Sequence, residues 1–213
     1  MLADVLNRLG GIPASRVRLN PTPGTATIRD LRRLDRGTGV TCELIDGTLV
    51  EKAMGWYESL LASVLIELLT QHVRSRKLGA VLAPDGMLRI QPQLVRAADV
   101  SFISKRQITR RKPSKMDPFP AVVPDLAVEV ISKSNTRREI ERKLAEYFAA
   151  GTTLVWVIDP RTRQATTLTS ASNRHTISLD GVLDARDVVP GFRVTLRVLF
   201  ERADQMLEEL VDE

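Results

Sequence analysis

Apolar residues recur at helical spacing through WYESLLASVLIELLTQHVRSRK, where Tyr57, Leu60, Leu61, Val64, Leu65, Leu68 and Leu69 share one stripe, so a helix is predicted here, stopped by Gly79. A second helix is predicted over TRREIERKLAEYFAAG, capped by Asn135 or Thr136, ended by Gly151, and carrying Ile140, Leu144, Tyr147 and Phe148 inward. Between them the period shortens. DLAVEVIS and TTLVWVIDP are nearly continuous apolar runs of the kind buried on both faces of a sheet, whereas AVLAPDGMLRI, VRAADVSFIS, ATTLTS and HTISL are shorter strand candidates. AVLAPDGMLRI, with an Asp85-Gly86 turn between two short apolar stretches, and VRAADVSFIS are expected to be consecutive strands of one sheet. Asp46-Gly47 splits ELIDGTLVEK as a tight hairpin turn does. Strand, helix and strand from Asp125 to Asp159 make a crossover unit with two parallel strands. Together these elements predict an α/β layered domain, a mixed β-sheet flanked by helices.

The flanks of this core read differently. Residues 1–38 form a predicted N-terminal helical arm in which Ile28, Leu31 and Leu34 are spaced for a helix; 39–200 is the core domain, and 201–213 the end of an acidic C-terminal helix. The segment KRQITRRKPSKMDPFP lacks periodicity, holds six basic residues between Lys105 and Lys115, and is expected to be an exposed loop.

Composition narrows the function. At 213 residues and 43% hydrophobic content the chain suffices for one domain with a real core. No apolar run approaches the ~20 residues of a membrane-spanning helix, and MLADVLNRLG lacks the basic start of a signal peptide, so a cytoplasmic protein without a membrane partner is expected. One cysteine, Cys42, and two histidines, His72 and His175, cannot build a Cys/His zinc site, so any metal must be held by carboxylates. The last thirteen residues carry six acids and one base, which leaves the first two hundred at +10 out of a net +5. A basic body of this size favours a polyanionic partner such as nucleic acid, although a solvated Arg-rich surface has the same composition.

The candidate chemistry lies in DLAVEVIS. Asp125 and Glu129 share a strand face but stand ~13 Å apart at ~3.3 Å per residue, so they cannot chelate one ion together. A carboxylate in a central apolar strand needs a cation, and Asp99 in the preceding strand is the natural companion of Glu129. These two acids with the Val130 carbonyl offer hard oxygen ligands suited to Mg²⁺. Otherwise Glu129 is half of a buried ion pair with Arg137 or Lys143.

The runs ELIDGTLVEKAMG, VRAADVSFIS, PDLAVEVIS, SNTRREIERKLAEY and GTTLVWVIDP, in this order over about residues 40–200, resemble the putative restriction-endonuclease family of bacterial proteins, assigned to the PD-(D/E)XK nuclease superfamily. The resemblance implies a restriction-endonuclease-like fold and a Mg²⁺- or Mn²⁺-dependent endonuclease acting on nucleic acid, DNA in the first instance, with Asp99 and Glu129 as the metal-binding acids. The superfamily lysine would fall at Ile131, which breaks the motif; the family resemblance moves it to Lys143 on the following helix. It further implies a role for Glu58, on the first core helix, in binding or orienting a second ion, against the alternative of a first-turn acid facing the helix dipole. Lys105, Arg106, Arg110, Arg111 and Lys112, with Arg29, Arg32, Arg33 and Arg36 of the arm, would grip the phosphate backbone. The rival readings are a nuclease-like fold kept for nucleic-acid binding without cleavage, as Ile131 invites, and an oligomeric scaffold such as a homodimer in which the acidic C-terminal helix docks on a basic face of a second copy.

Overall fold

The structure is a computed structural model of the chain and describes residues 2–38, 40–52 and 55–209. The acidic end predicted over 201–213 is therefore described only to residue 209. The elements in order are α1 (Leu2–Arg8), a 3-10 turn (Ala14–Arg16), α2 (Ile28–Thr38), β1 (Cys42–Ile45), β2 (Thr48–Glu51), α3 (Trp56–Arg76), β3 (Gly79–Leu82), β4 (Leu88–Gln91), β5 (Leu94–Arg96) and β6 (Val100–Ser104). They continue as α4 (Lys105–Arg111), β7 (Leu126–Val130), α5 (Arg137–Ala150), β8 (Leu154–Asp159), β9 (Gln164–Leu168), β10 (Arg174–Ile177), β11 (Val182–Asp184), β12 (Arg193–Thr195) and α6 (Leu196–Glu208).

A six-stranded mixed sheet in the order β10-β9-β8-β7-β6-β3 forms the centre; β7 and β8 are its parallel pair, joined through α5 as the crossover pattern predicts. Alternation along β7 sorts its side chains between two cores. Leu126, Val128 and Val130 face α3 and α6, where Leu61, Leu65, Leu69, Leu199 and Phe200 close over them. Ala127 faces the opposite way, into a core shared with Ile140, Leu144 and Tyr147 of α5. Glu129 shares that second face, and Ile45, Val50, Leu88 and Leu94 of another sheet cover it.

That other sheet is four-stranded, in the order β2-β1-β5-β4, and corrects the expectation of consecutive strands in one sheet. β3 pairs with β6, while β4 turns away to pair with β5. VRAADVSFIS is likewise two strands: β5 belongs to the small sheet and β6 to the large one, and the chain crosses between them at Ala97-Ala98-Asp99. Local β-propensity is continuous through this segment, so only the available partners decide where it breaks.

The β1–β2 hairpin turns through Asp46 and Gly47, both at positive φ (47° and 65°), as a two-residue connection of this twist requires. α3 ends at Arg76 with Lys77 in the left-handed region (φ 53°), so Lys77 and not Gly79 terminates it. Gly79 instead opens β3, where a Cβ would strike the Ile103 carbonyl. Thr136 caps α5 by accepting from the Glu139 amide, and Gly151 closes it at φ 107°. The segment read as a loop after Lys105 begins with a helix: the Ser104 side chain caps α4 by accepting from the Gln107 amide. No apolar stripe announced α4, because it buries none of its residues.

The N-terminal segment lies against the domain. Val5, Leu9, Ile12 and Val17 enter the α5-side core, and the Arg16 guanidinium reaches Glu139 of α5 at 2.9 and 3.1 Å. Among the described residues no helix is long and apolar enough to cross a membrane.

Candidate active site

The break between β5 and β6 places Asp99 at the mouth of the two sheets. β6 and β7 run antiparallel with a register that ends at Val100 opposite Val128, and Asp99 lies just beyond it, beside the end of β7 that carries Glu129. The Asp99 amide donates to the Val128 carbonyl at 2.9 Å, and the Val130 amide returns a 2.6 Å bond to Asp99 Oδ2. Val130 therefore holds Asp99 through its N–H. Asp125, at the start of β7, instead accepts from the Ser104 amide at 2.7 Å and pins the strand ends together.

Both acids are buried, and each has an ammonium group. Lys143 Nζ stands 2.9 Å from Glu129 Oε2 and 3.8 Å from Glu43 Oε1. Tyr147, one helical turn further along α5, donates to Glu129 Oε1 at 2.8 Å. Lys143 is thus part of the buried face of α5, and its pairing with Glu129 is the ion pair weighed from the sequence. Lys52, just past β2, lies 2.9 Å from Asp99 Oδ1 and donates to the Ala97 carbonyl at 2.6 Å.

Behind these pairs lies a second layer. Glu43 of β1 accepts from Arg96 Nη1 at 2.7 Å and from the Ala97 amide at 3.0 Å. Arg96 also reaches Glu146 of α5 at 2.7 Å through Nε, and Arg142 links Glu146 to Asp46 at 2.7 and 2.9 Å. Three fully enclosed carboxylates (Glu43, Asp99, Glu129) are thereby matched by three cations (Lys52, Arg96, Lys143) drawn from both sheets and α5.

Sequence reasoning missed Glu43, Lys52, Arg96 and Tyr147. The signal that singled out Glu129, a charge inside an apolar strand, was also present at Glu43 in CELI and Arg96 in LVR. Glu58 lies apart. Its carboxylate folds back over Gly55 at the start of α3, and it lines a concavity with Ile131, Ser132 and Lys133 rather than bonding Asp99 or Glu129. α4 presents Lys105, Arg106, Arg110 and Arg111 to solvent, with exposed Lys112 as its left-handed cap. In the arm Arg29, Arg33 and Arg36 are exposed and Arg32 pairs with Asp117 at 2.8 Å. His72 packs edge-on against Phe192, and burial pushes the Cys42 thiol up to about 11, as suits structural groups.

The electrostatics are divided. Burial pushes the Glu43 carboxyl up, but the charges of Lys143 and Arg96 and the Ala97 amide outweigh it and hold it at about 2. Glu129 is raised, by burial first; Lys143 pulls it back and the neighbouring Asp99 charge pushes it up again. Lys143 is raised: burial alone would lower it, but Glu129 and Glu43 prevail, so it stays an ammonium. A depressed carboxyl stabilises the fold above its ordinary value, 4.5, and loses that contribution as pH falls through about 2. Glu43 should therefore contribute an acid-sensitive ~3 kcal/mol, opposed in sign by Glu129. Denaturant melts between these pH values should show wild-type stability falling more steeply than that of Glu43→Gln; parallel curves would refute the assignment.

Two carboxylates brought side by side can hold a hard cation. Each of their four oxygens is used once, by Lys52, the Val130 amide, Lys143 or Tyr147, and a carboxylate oxygen has a second lone pair to offer. Among the described residues no three Asp, Glu, His or Cys side chains come together as a ready-made metal cage.

A solved structure described as a putative nuclease belonging to DUF820, from Anabaena variabilis ATCC 29413, superposes with a TM-score of 0.70 over 81% of this chain and 98% of its own, at 15% identity, which shows a shared fold. No curated protein matches the chain. The model of the Uma2 family, described as putative restriction endonuclease, matches residues 28–197, so it begins inside the N-terminal segment and takes in both sheets, every member of the ion-pair cluster and most of the chain. The chain therefore belongs to the Uma2 family of putative restriction endonucleases.

Proposed function

We propose that this protein is a metal-dependent endonuclease of the PD-(D/E)XK type that hydrolyses phosphodiester bonds, with DNA as its first substrate. The observation that carries the reading is the meeting of Asp99 and Glu129 at the end of the β6–β7 ladder, with Asp99 bonded to the Val130 amide next to Glu129 and each acid beside a lysine ammonium. Asp99 and Glu129 would hold the ion, Mg²⁺ or Mn²⁺, with the Val130 carbonyl as a third oxygen donor. When bound, such an ion neutralises phosphate charge and polarises water. The Lys52 or Lys143 ammonium beside these acids would meet the phosphate, where charge develops as the water oxygen bonds to phosphorus and gives up its proton to solvent, and the P–O bond to the leaving strand breaks with its oxygen taking up a proton. Lys143, held beside Glu129 and Glu43, is the group proposed for this role.

The test is conversion of supercoiled plasmid to nicked circles with Mg²⁺ or Mn²⁺, abolished by chelator. Inactivity on several DNA and RNA substrates would overturn it in favour of a fold kept for binding, a reading supported by the near-complete internal pairing of the cluster and by Ile131 in the motif position. Binding of phosphates by α4 carries its own expectation: log affinity should fall linearly with log salt. Replacing Arg110, Arg111 and Lys112 by alanine should flatten the slope by about 0.9 for each phosphate of duplex DNA that these side chains neutralise. An unchanged slope would leave α4 a solvated surface helix.

A further inference from the structure

Trp56 opens α3 and is 71% exposed, while the other tryptophan, Trp156, is fully buried beneath α3 and α6. Tryptophan is enriched at binding surfaces, where one end of the ring is apolar and the other wet. The surroundings of Trp56 combine an apolar lining with charged groups. Trp56 lines a concavity of about 530 Å³ together with Glu58, Ile131, Ser132, Lys133 and Arg161, within the ~300–1,000 Å³ typical of small-ligand sites. This offers a flat π face, the Glu58 carboxylate as an acceptor, and exposed Lys133 and Arg161, the latter shared with Asp159. Such a mixture suits a heterocyclic base with an attached phosphate better than an apolar protein surface.

Its position matters as much as its chemistry. Ile131, one wall of the concavity, follows Glu129 by two residues, so the concavity adjoins the end of β7 that carries Glu129. We propose that the concavity is a nucleotide subsite in which Trp56 stacks an unpaired base and Lys133 meets its phosphate, beside the nucleotide at Asp99 and Glu129. It rests on the nuclease reading of that pair and adds to it a preference for substrate that is single-stranded, or unstacked, next to the cleaved bond. A paired base within a duplex has no free face for the indole.

Intrinsic fluorescence tests this without cleavage. In the presence of chelator, a short single-stranded deoxythymidine oligonucleotide should quench the full-length protein, and the quenching that Trp56→Ala removes is the part due to the exposed Trp56, since Trp156 is buried away from ligand. The same length of duplex should quench far less. Trp56→Ala should weaken single-strand affinity, followed by anisotropy of a labelled oligonucleotide, by about 5- to 150-fold, the range that one stacked base supplies, and Trp56→Tyr should restore most of it. Circular dichroism of both variants confirms that the fold is kept. Absence of quenching with unchanged affinity in Trp56→Ala, while the wild type still nicks plasmid, would overturn the subsite and leave the nuclease reading standing. Quenching and weakened binding in a protein that cleaves nothing would uphold the base-stacking site and remove the nuclease. Loss of a dimer in Trp56→Ala by sedimentation, without quenching, would assign the tryptophan to an interface between copies and overturn the subsite.

Discussion

Lys143→Ala is expected to abolish metal-dependent plasmid nicking and to lower stability by roughly 3 to 5 kcal/mol. The stability loss follows from geometry: the ammonium is buried between Glu129 at 2.9 Å and Glu43 at 3.8 Å, and alanine leaves two enclosed carboxylates short of one positive charge. Removing one partner of a buried pair costs far more than the pair contributes, because the remaining charge has lost its water as well as its counter-ion. The activity loss follows from the proposed role at the phosphate and must be read on folded protein. Denaturant melts and nicking assays on the same sample, at a temperature well below the variant's midpoint, separate the two effects. A folded Lys143→Ala protein with full activity would sink the migrated-lysine reading, whereas a protein destabilised as stated but still active would make Lys143 a purely structural counter-ion.

The second large effect concerns the two neighbouring acids. If Asp99 and Glu129 hold a divalent ion, the wild type should be stabilised by mass action, by about 2.7 kcal/mol at a hundred times the dissociation constant. For a chain of this size that is a rise of roughly 5–11 °C in melting temperature. Asp99→Asn combined with Glu129→Gln keeps the shape of both side chains but removes the charge that attracts the ion, so the metal-dependent shift and the nicking should both vanish. The apo-protein will itself be altered, since Lys52 and Lys143 lose their charged partners. The informative quantity is therefore the shift within each protein on adding Mg²⁺ or Mn²⁺. An equal shift in the double variant would place the ion elsewhere.

Some of this site is written locally. Glu129 stands out in DLAVEVIS because a lone carboxylate in a buried strand demands a cation, and helical periodicity puts Lys143 near the inward face of α5. The same rule applied to β1 would have raised Glu43, and applied to β5 would have raised Arg96. They escape notice because each sits in a strand of only three or four residues, too short for an isolated charge to contrast with a long apolar run. Lys52 gives no such signal. It follows β2 at a chain position where a solvated lysine is ordinary, and only the fold brings its ammonium to Asp99 and the Ala97 carbonyl.

The sequence by itself determined α3, α5, the Asp46-Gly47 hairpin and the parallel pair β7–β8, because each depends on contacts or periodicities within a few residues, or on two apolar runs that neither face of the sheet leaves in water. Tertiary structure alone decided that VRAADVSFIS breaks at Ala97–Asp99 and that β4 and β5 leave the central sheet for a second one. It also decided that four separate stretches deliver Glu43, Lys52, Arg96 and Lys143 to a single buried cluster. The physical reason is that a strand's propensity is satisfied by any partner edge, and a buried charge by any opposite charge within reach. Which edge and which charge are chosen is settled only when the whole chain packs and the alternatives lose their water.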